Sequence, residues 1–96
     1  MNNNVYPTNE ELKNIENWDN DWRALVEYVA EIMPHYGTVK ITGKRKVKVF
    51  IATGGWSGCE DIIKALEKAD SGMFWFCCWQ KSERGGAFWF KLPEFT

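Results

Sequence analysis

The chain has 96 residues, 16% of them aromatic, with six Trp, six Phe and a formal net charge of −1. That length suits one small domain and is too short for two, and the aromatic side chains carry enough apolar area for a core. The near-neutral total supplies no global pull toward nucleic acid or an anionic membrane, yet Glu10 to Glu31 holds seven acids and two bases while Lys40 to Lys48 holds five bases and no acid.

One domain over residues 1–96 is expected, with residues 1–7 polar and frayed. Thr8 followed by Glu11 fits a capping box and predicts a short helix to about Glu16. Asn17 to Asn20 interrupts it, and Asp19 or Asn20 suits the cap of a second stretch. There Trp22, Leu25, Val26, Val29, Ile32 and Met33 recur at spacings of three and four, the pattern of one buried face. Pro34 and Gly37 end it. One kinked helix or two would satisfy this pattern.

Val39 and Ile41 alternate with Lys40, predicting a strand from Thr38 to Thr42. Gly43-Lys44-Arg45 is a tight turn, and Val47, Val49 and Ile51 resume the alternation to Ala52. The result is a β-hairpin with one apolar face and a basic opposite face and tip. The loop Thr53-Gly54-Gly55-Trp56-Ser57-Gly58 leads into an amphipathic helix from Gly58 to Ala69, with Ile62, Ile63, Leu66 and Ala69 as its stripe. Ser57 and Glu60 read as a second capping box, and Asp70-Ser71-Gly72 as the stop.

Met73 to Trp79 is apolar throughout and reads as a strand, covered on both faces or bearing an exposed aromatic one. Ser82 to Gly86 is the turn, and Ala87 to Leu92 the last strand, closed by Pro93. The fold class is α+β in the order α-β-β-α-β-β, a four-stranded mixed or antiparallel sheet packed by helices. Roughly twenty residues separate the second and third strands, enough for a helical crossover that would make them parallel neighbours. Arg84 would then share a sheet edge with the helix that follows the glycine loop, the edge that ligands of open α/β sheets favour.

Three surfaces compete for function. The glycine loop can hold an anionic group on the amides of Gly54, Gly55 and Gly58, with hydroxyls from Thr53 and Ser57, Trp56 as a cover and Arg84 as a cation. The bland reading is a tight turn and a capped helix start. The basic hairpin (Lys40, Lys44, Arg45, Lys46, Lys48) suits single-stranded nucleic acid, or else is a solvated face whose lysines discourage edge aggregation. Trp75, Trp79 and Trp89 fall on one side of the last two strands, with Phe74, Phe76, Phe88 and Phe90 on the other. One layer meets the helices, and the other is covered or anchors a protein partner.

No enzyme is expected. The loop lacks the lysine of a phosphate-binding G-x-x-x-x-G-K-[ST] string, and Gly55-Trp56-Ser57-Gly58-Cys59 ends in cysteine where a nucleophile elbow needs glycine. Cys59, Cys77 and Cys78 make a poor disulfide framework, and with the single His35 they offer no metal-site spacing. Cys59 reads as a small packing residue. No cofactor motif, membrane span or signal peptide is found, so a cytoplasmic setting is expected.

The string T-G-G-W-S-G-x-E-D-I-I-x-A-L, followed by F-W-x-x-C-W-x-x-S-x-R-G-G-x-x-x-F, resembles a group of small uncharacterised proteins encoded by bacteriophages and prophages of Gram-positive bacteria. The likeness spans Ile51 to Phe90. It implies a phage-encoded protein inside a bacterial host cell and brings no assigned reaction. The leading expectation is therefore a non-enzymatic binding protein whose aromatic surface engages a host or phage protein. An anionic small ligand held at the glycine loop with Arg84 comes second, and a single-stranded nucleic-acid accessory role for the basic hairpin third.

Overall fold

A computed structural model describes residues 7–34 and 37–93, so the expected fraying before Pro7, and His35, lie outside the described residues. Helix α1 (Asn9–Glu16) starts at the capping box: Thr8 Oγ1 accepts from the Glu11 N–H at 3.1 Å, and Glu11 Oε1 accepts from the Thr8 N–H at 2.9 Å. Helix α2 (Trp22–Ile32) is separate from it, capped by Asp21, whose Oδ1 accepts from the Ala24 N–H at 3.2 Å. Asn20 and Asp21 take left-handed backbone angles, φ 57° and 38°, and these turn the chain between the helices.

Strands β1 (Thr38–Thr42) and β2 (Lys48–Ala52) form the hairpin, with Val39 opposite Ile51 and Ile41 opposite Val49. Helix α3 (Ser57–Lys68) follows, then a 3-10 turn over Ala69–Gly72. The expected strand from Met73 is instead a helix, α4 (Met73–Cys78), and the third strand β3 (Trp79–Glu83) begins only where that strand was to end. Asp70, Ser71 and Gly72 all have positive φ, which reverses the chain and lets a new helix start. Phe74 and Cys78, four residues apart, are then both buried while Phe76 is 83% exposed. An all-apolar run carries no period of its own, so packing chose helix over strand.

Strand β4 (Ala87–Lys91) completes a four-stranded sheet in the order β1-β2-β4-β3, every neighbouring pair antiparallel. The α+β class and the antiparallel alternative therefore hold, whereas the parallel pairing of β2 and β3 does not. Those two strands do run in the same direction, but β4 lies between them. The helical segment carries the chain to the far edge, and the β3–β4 hairpin returns into the gap beside β2.

The helices cover one face of the sheet. Ile15, Leu25, Val26, Val29, Ile62, Leu66 and Phe74 from the helical layer meet Val49, Ile51 and Phe90 from the strands, all 1% exposed or less. One long-range tie joins the two helical corners. The Trp22 Nε1–H donates to Asp70 Oδ2 at 2.9 Å, and the Asn20 N–H approaches the same oxygen at 3.4 Å.

Candidate functional site: the open face of the sheet

Side chains alternate across a strand, so the residues between the buried positions point away from the helices. The strand register arranges them in three rows. The middle row is Lys40, Phe50, Trp89 and Lys81, running across all four strands. The row nearer the tip of the β1–β2 hairpin is Thr42, Lys48 and Lys91, and the row at the far end is Thr38, Ala52, Ala87 and Glu83. Neither Phe50 nor Trp89 packs on the core of the helical face. Their rings lie side by side with centroids 5.0 Å apart and planes at 48°.

An aromatic pair on the two central strands is thus flanked by lysines on both sides. The Lys81 Nζ sits 4.4 Å above the Trp89 ring and 3.4 Å from Glu83 Oε2. Lys40, Lys48, Phe50, Gln80 and Trp89 border a shallow depression of about 280 Å³. Among the described residues, Lys40, Lys48 and Lys91 have no ion-pair partner. From the sequence, Lys40 and Lys48 are legible as the basic face of the hairpin, whereas nothing local marks Phe50, Lys81 or Lys91. The signal available was the matched alternation of Lys48-x-Phe50 and Trp89-x-Lys91, which has meaning only once β2 and β4 are paired in register. Lys44, Arg45 and Lys46 are exposed at the hairpin tip.

The glycine loop is a structural joint. Thr53 is fully buried, its N–H donating to the Gly86 carbonyl at 2.7 Å, and its Oγ1 accepts from the Gly55 N–H at 3.2 Å. The Thr53 hydroxyl lies 3.3 Å from both Glu60 Oε2 and the Gly86 oxygen, so its one proton serves these two acceptors. Gly54 and Gly55 have φ of 63° and 80°, and the Trp56 N–H closes the turn onto the Thr53 carbonyl at 3.1 Å. Helix α3 begins at Ser57 with Trp56 as its N-cap, so Ser57 is inside the helix and the expected Ser57–Glu60 capping box is not the one used. Glu60 reaches back to Thr53 instead. Gly58 is buried and Trp56 is 40% exposed.

The turn that carries Arg84 touches this loop through Gly86, whose carbonyl accepts from the Thr53 N–H, but β2 and β3 are not the parallel neighbours on which the expected placing of Arg84 depended. Arg84 is exposed and has no hydrogen bond or ion pair among the described residues. The carboxylate of Glu60 beside Thr53 opposes an anion at the same helix start.

The three tryptophans do not share a face. Trp75 belongs to α4 and packs on the core, Trp79 stacks on it with centroids 6.4 Å apart, and Trp89 is on the open face. Of the phenylalanines, Phe74 and Phe90 are in the core, Phe88 is half-buried against it, and Phe76 is in solvent. The two-layer expectation failed because it carried strand alternation back into a helix. Met73, Phe76 and Trp79, at 46%, 83% and 42% exposure, leave apolar surface on α4 and at the start of β3.

Cys59 and Cys78 are buried and Cys77 is exposed, all three as free thiols. Burial, helped by the neighbouring Glu60, pushes the Cys59 thiol up; burial, helped by Cys77, pushes Cys78 up to about 12. A maleimide at neutral pH should therefore label Cys77 alone in the folded protein, and the other two only after denaturation. Mass spectrometry of the labelled chain checks this, and rapid native labelling of Cys59 would contradict it.

Among the described residues, no group of three or more His, Cys, Asp or Glu side chains is placed to hold a metal ion, and no helix is long and apolar enough to cross a membrane. No family model matches the chain, and no curated protein or solved structure matches it either.

Proposed function

We propose that the protein binds single-stranded nucleic acid on the open face of its sheet. The observation that carries this reading is the Phe50–Trp89 pair, set on the central strands and flanked by Lys40, Lys48, Lys81 and Lys91. Aromatic rings on a flat sheet stack with unpaired bases whatever their sequence, and lysines around them neutralise the backbone. Duplex bases are already stacked on each other, so the rings favour single strands. The acidic stretch from Glu10 to Glu31 is in the helical layer, on the opposite side from these lysines. A net charge near zero is therefore compatible with a locally basic platform.

Fluorescence anisotropy of a labelled oligothymidylate, titrated at several salt concentrations, tests the reading. Binding should weaken linearly on logarithmic axes, with a slope of about −0.7 per neutralised phosphate. An equal affinity for duplex of the same length, or no binding at low salt, would overturn it.

A second reading has one observation in its favour, the exposed Met73 and Phe76 of α4 with Trp79 at the start of β3. A phenylalanine that exposed is a typical anchor for a protein partner, and a host or phage protein is the class that the motif likeness suggests. Phe76→Ser separates the two readings: it should leave nucleic-acid binding unchanged and abolish capture of such a partner.

A further inference from the structure

Lys48 and Lys91 sit directly opposite one another on β2 and β4. Like charges at that position repel and destabilise the pairing unless something neutralises them. Among the described residues nothing does. Thr42 stands opposite Lys48 on the other side and adds a hydroxyl. Beyond this row are the exposed tip residues Lys44, Arg45 and Lys46, and a second depression of about 360 Å³, bordered by Lys46, Lys91, Leu92, Pro93 and Cys77 of α4, opens at the same end of the sheet. Among the described residues, no carboxylate borders either depression. The far row is different: it ends in Glu83, and the Glu60 carboxylate lies just beyond, beside Thr53. Lys81 pairs with Glu83 there, and Arg84 is exposed beside it in the chain.

Resting on the nucleic-acid reading, the geometry points to a polarised site. The phosphodiester backbone of the strand lies along the Thr42–Lys48–Lys91 row and the hairpin tip, crossing the β-strands, while its bases lean inward onto Phe50 and Trp89. The Glu83 end repels the backbone and carries none of it. Lys81 occupies the Trp89 face in the free protein, 4.4 Å above the ring. An arriving base displaces this ammonium from the ring, and the ion pair with Glu83 keeps it at that end of the site. The substrate class that fits is a short run of unpaired nucleotides, DNA or RNA, with no base specificity from this row.

The test is the salt dependence of binding to the labelled oligothymidylate. Lys48→Ala with Lys91→Ala should lower the magnitude of the slope by about 1.4, at ~0.7 per lost phosphate contact. Arg84→Ala and Glu83→Gln should leave the slope unchanged. A wild-type slope in the Lys48/Lys91 variant, with a reduced one in Arg84→Ala, would overturn the path and leave the parent reading standing. No binding by the wild-type protein under any salt would overturn both. Circular dichroism of each variant establishes that the fold is kept, which substitutions at exposed positions should allow. Lys44→Ala with Arg45→Ala and Lys46→Ala is the second variant: it should also lower the slope, and an unchanged slope would remove the tip from the path.

Discussion

Trp89→Ala is expected to weaken binding of single-stranded oligonucleotide about tenfold, and Trp89→Ala with Phe50→Ala about 100-fold. Stacking of one base on an aromatic side chain contributes ~1–3 kcal/mol, and about 1.4 kcal/mol is a factor of ten. The rings are adjacent at 5.0 Å, so two neighbouring bases can each take one ring. The slope against salt should not change, because no cation is removed. That separates stacking from charge: lysine variants alter the slope, aromatic variants shift the whole line. The cross-strand pair itself stabilises the sheet by roughly 0.2–1 kcal/mol, so the double variant should melt a few degrees lower and still fold. Unchanged affinity in the folded double variant would remove the platform.

Gly86→Ala should be strongly destabilising. Gly86 has φ of 84°, where a side chain costs about 1–2 kcal/mol. A Cβ there would stand 1.9 Å from Thr53 Oγ1 and 3.2 Å from Thr53 Cβ. Thr53 cannot give way easily, since it is fully buried and bonded to the Gly86 and Gly55 backbones. A loss of ~2–4 kcal/mol is expected, which for a domain of this size lowers the melting temperature by about 10–25 °C. Adding Thr53→Ala removes the nearer clash, so the double variant should be destabilised by less than the sum of the two singles. Thermal denaturation of the four proteins measures this, and strict additivity would mean that the two residues do not press on each other. Gly85→Ala is the comparison: its φ of 89° is equally strained, but nothing lies within 4 Å of the added methyl.

Much of the fold was legible because local signals were unambiguous. Thr8 and Glu11 marked one helix start by side-chain chemistry alone, and the Val39/Ile41 and Val49/Ile51 alternation set the hairpin register. Where the sequence misled, two local rules competed. Ser57-x-x-Glu60 has the form of a capping box, but Thr53, three residues before Trp56, offers Glu60 a buried hydroxyl that becomes visible only when β2 ends beside β4. The aromatic run from Met73 to Trp79 has no polar residue to reveal a period. Its helical start depends on Asp70 and Ser71 adopting left-handed angles, which propensity does not predict. The candidate site was half legible. Its lysines on β1 and β2 are close in sequence, whereas its rings come from strands nearly forty residues apart and meet through register alone.

The Asp70 carboxylate has a further consequence for how the molecule comes apart. It receives Trp22 and Asn20 across some fifty residues of chain, and both corners it joins hold non-glycine residues at positive φ. Each such residue is disfavoured by about 1–2 kcal/mol when left to itself. Each corner therefore keeps its shape only while the other is in place. Hydrogen exchange should find α1–α2 and α3–α4 opening together, as one cooperative unit and not as two independently fraying helical hairpins.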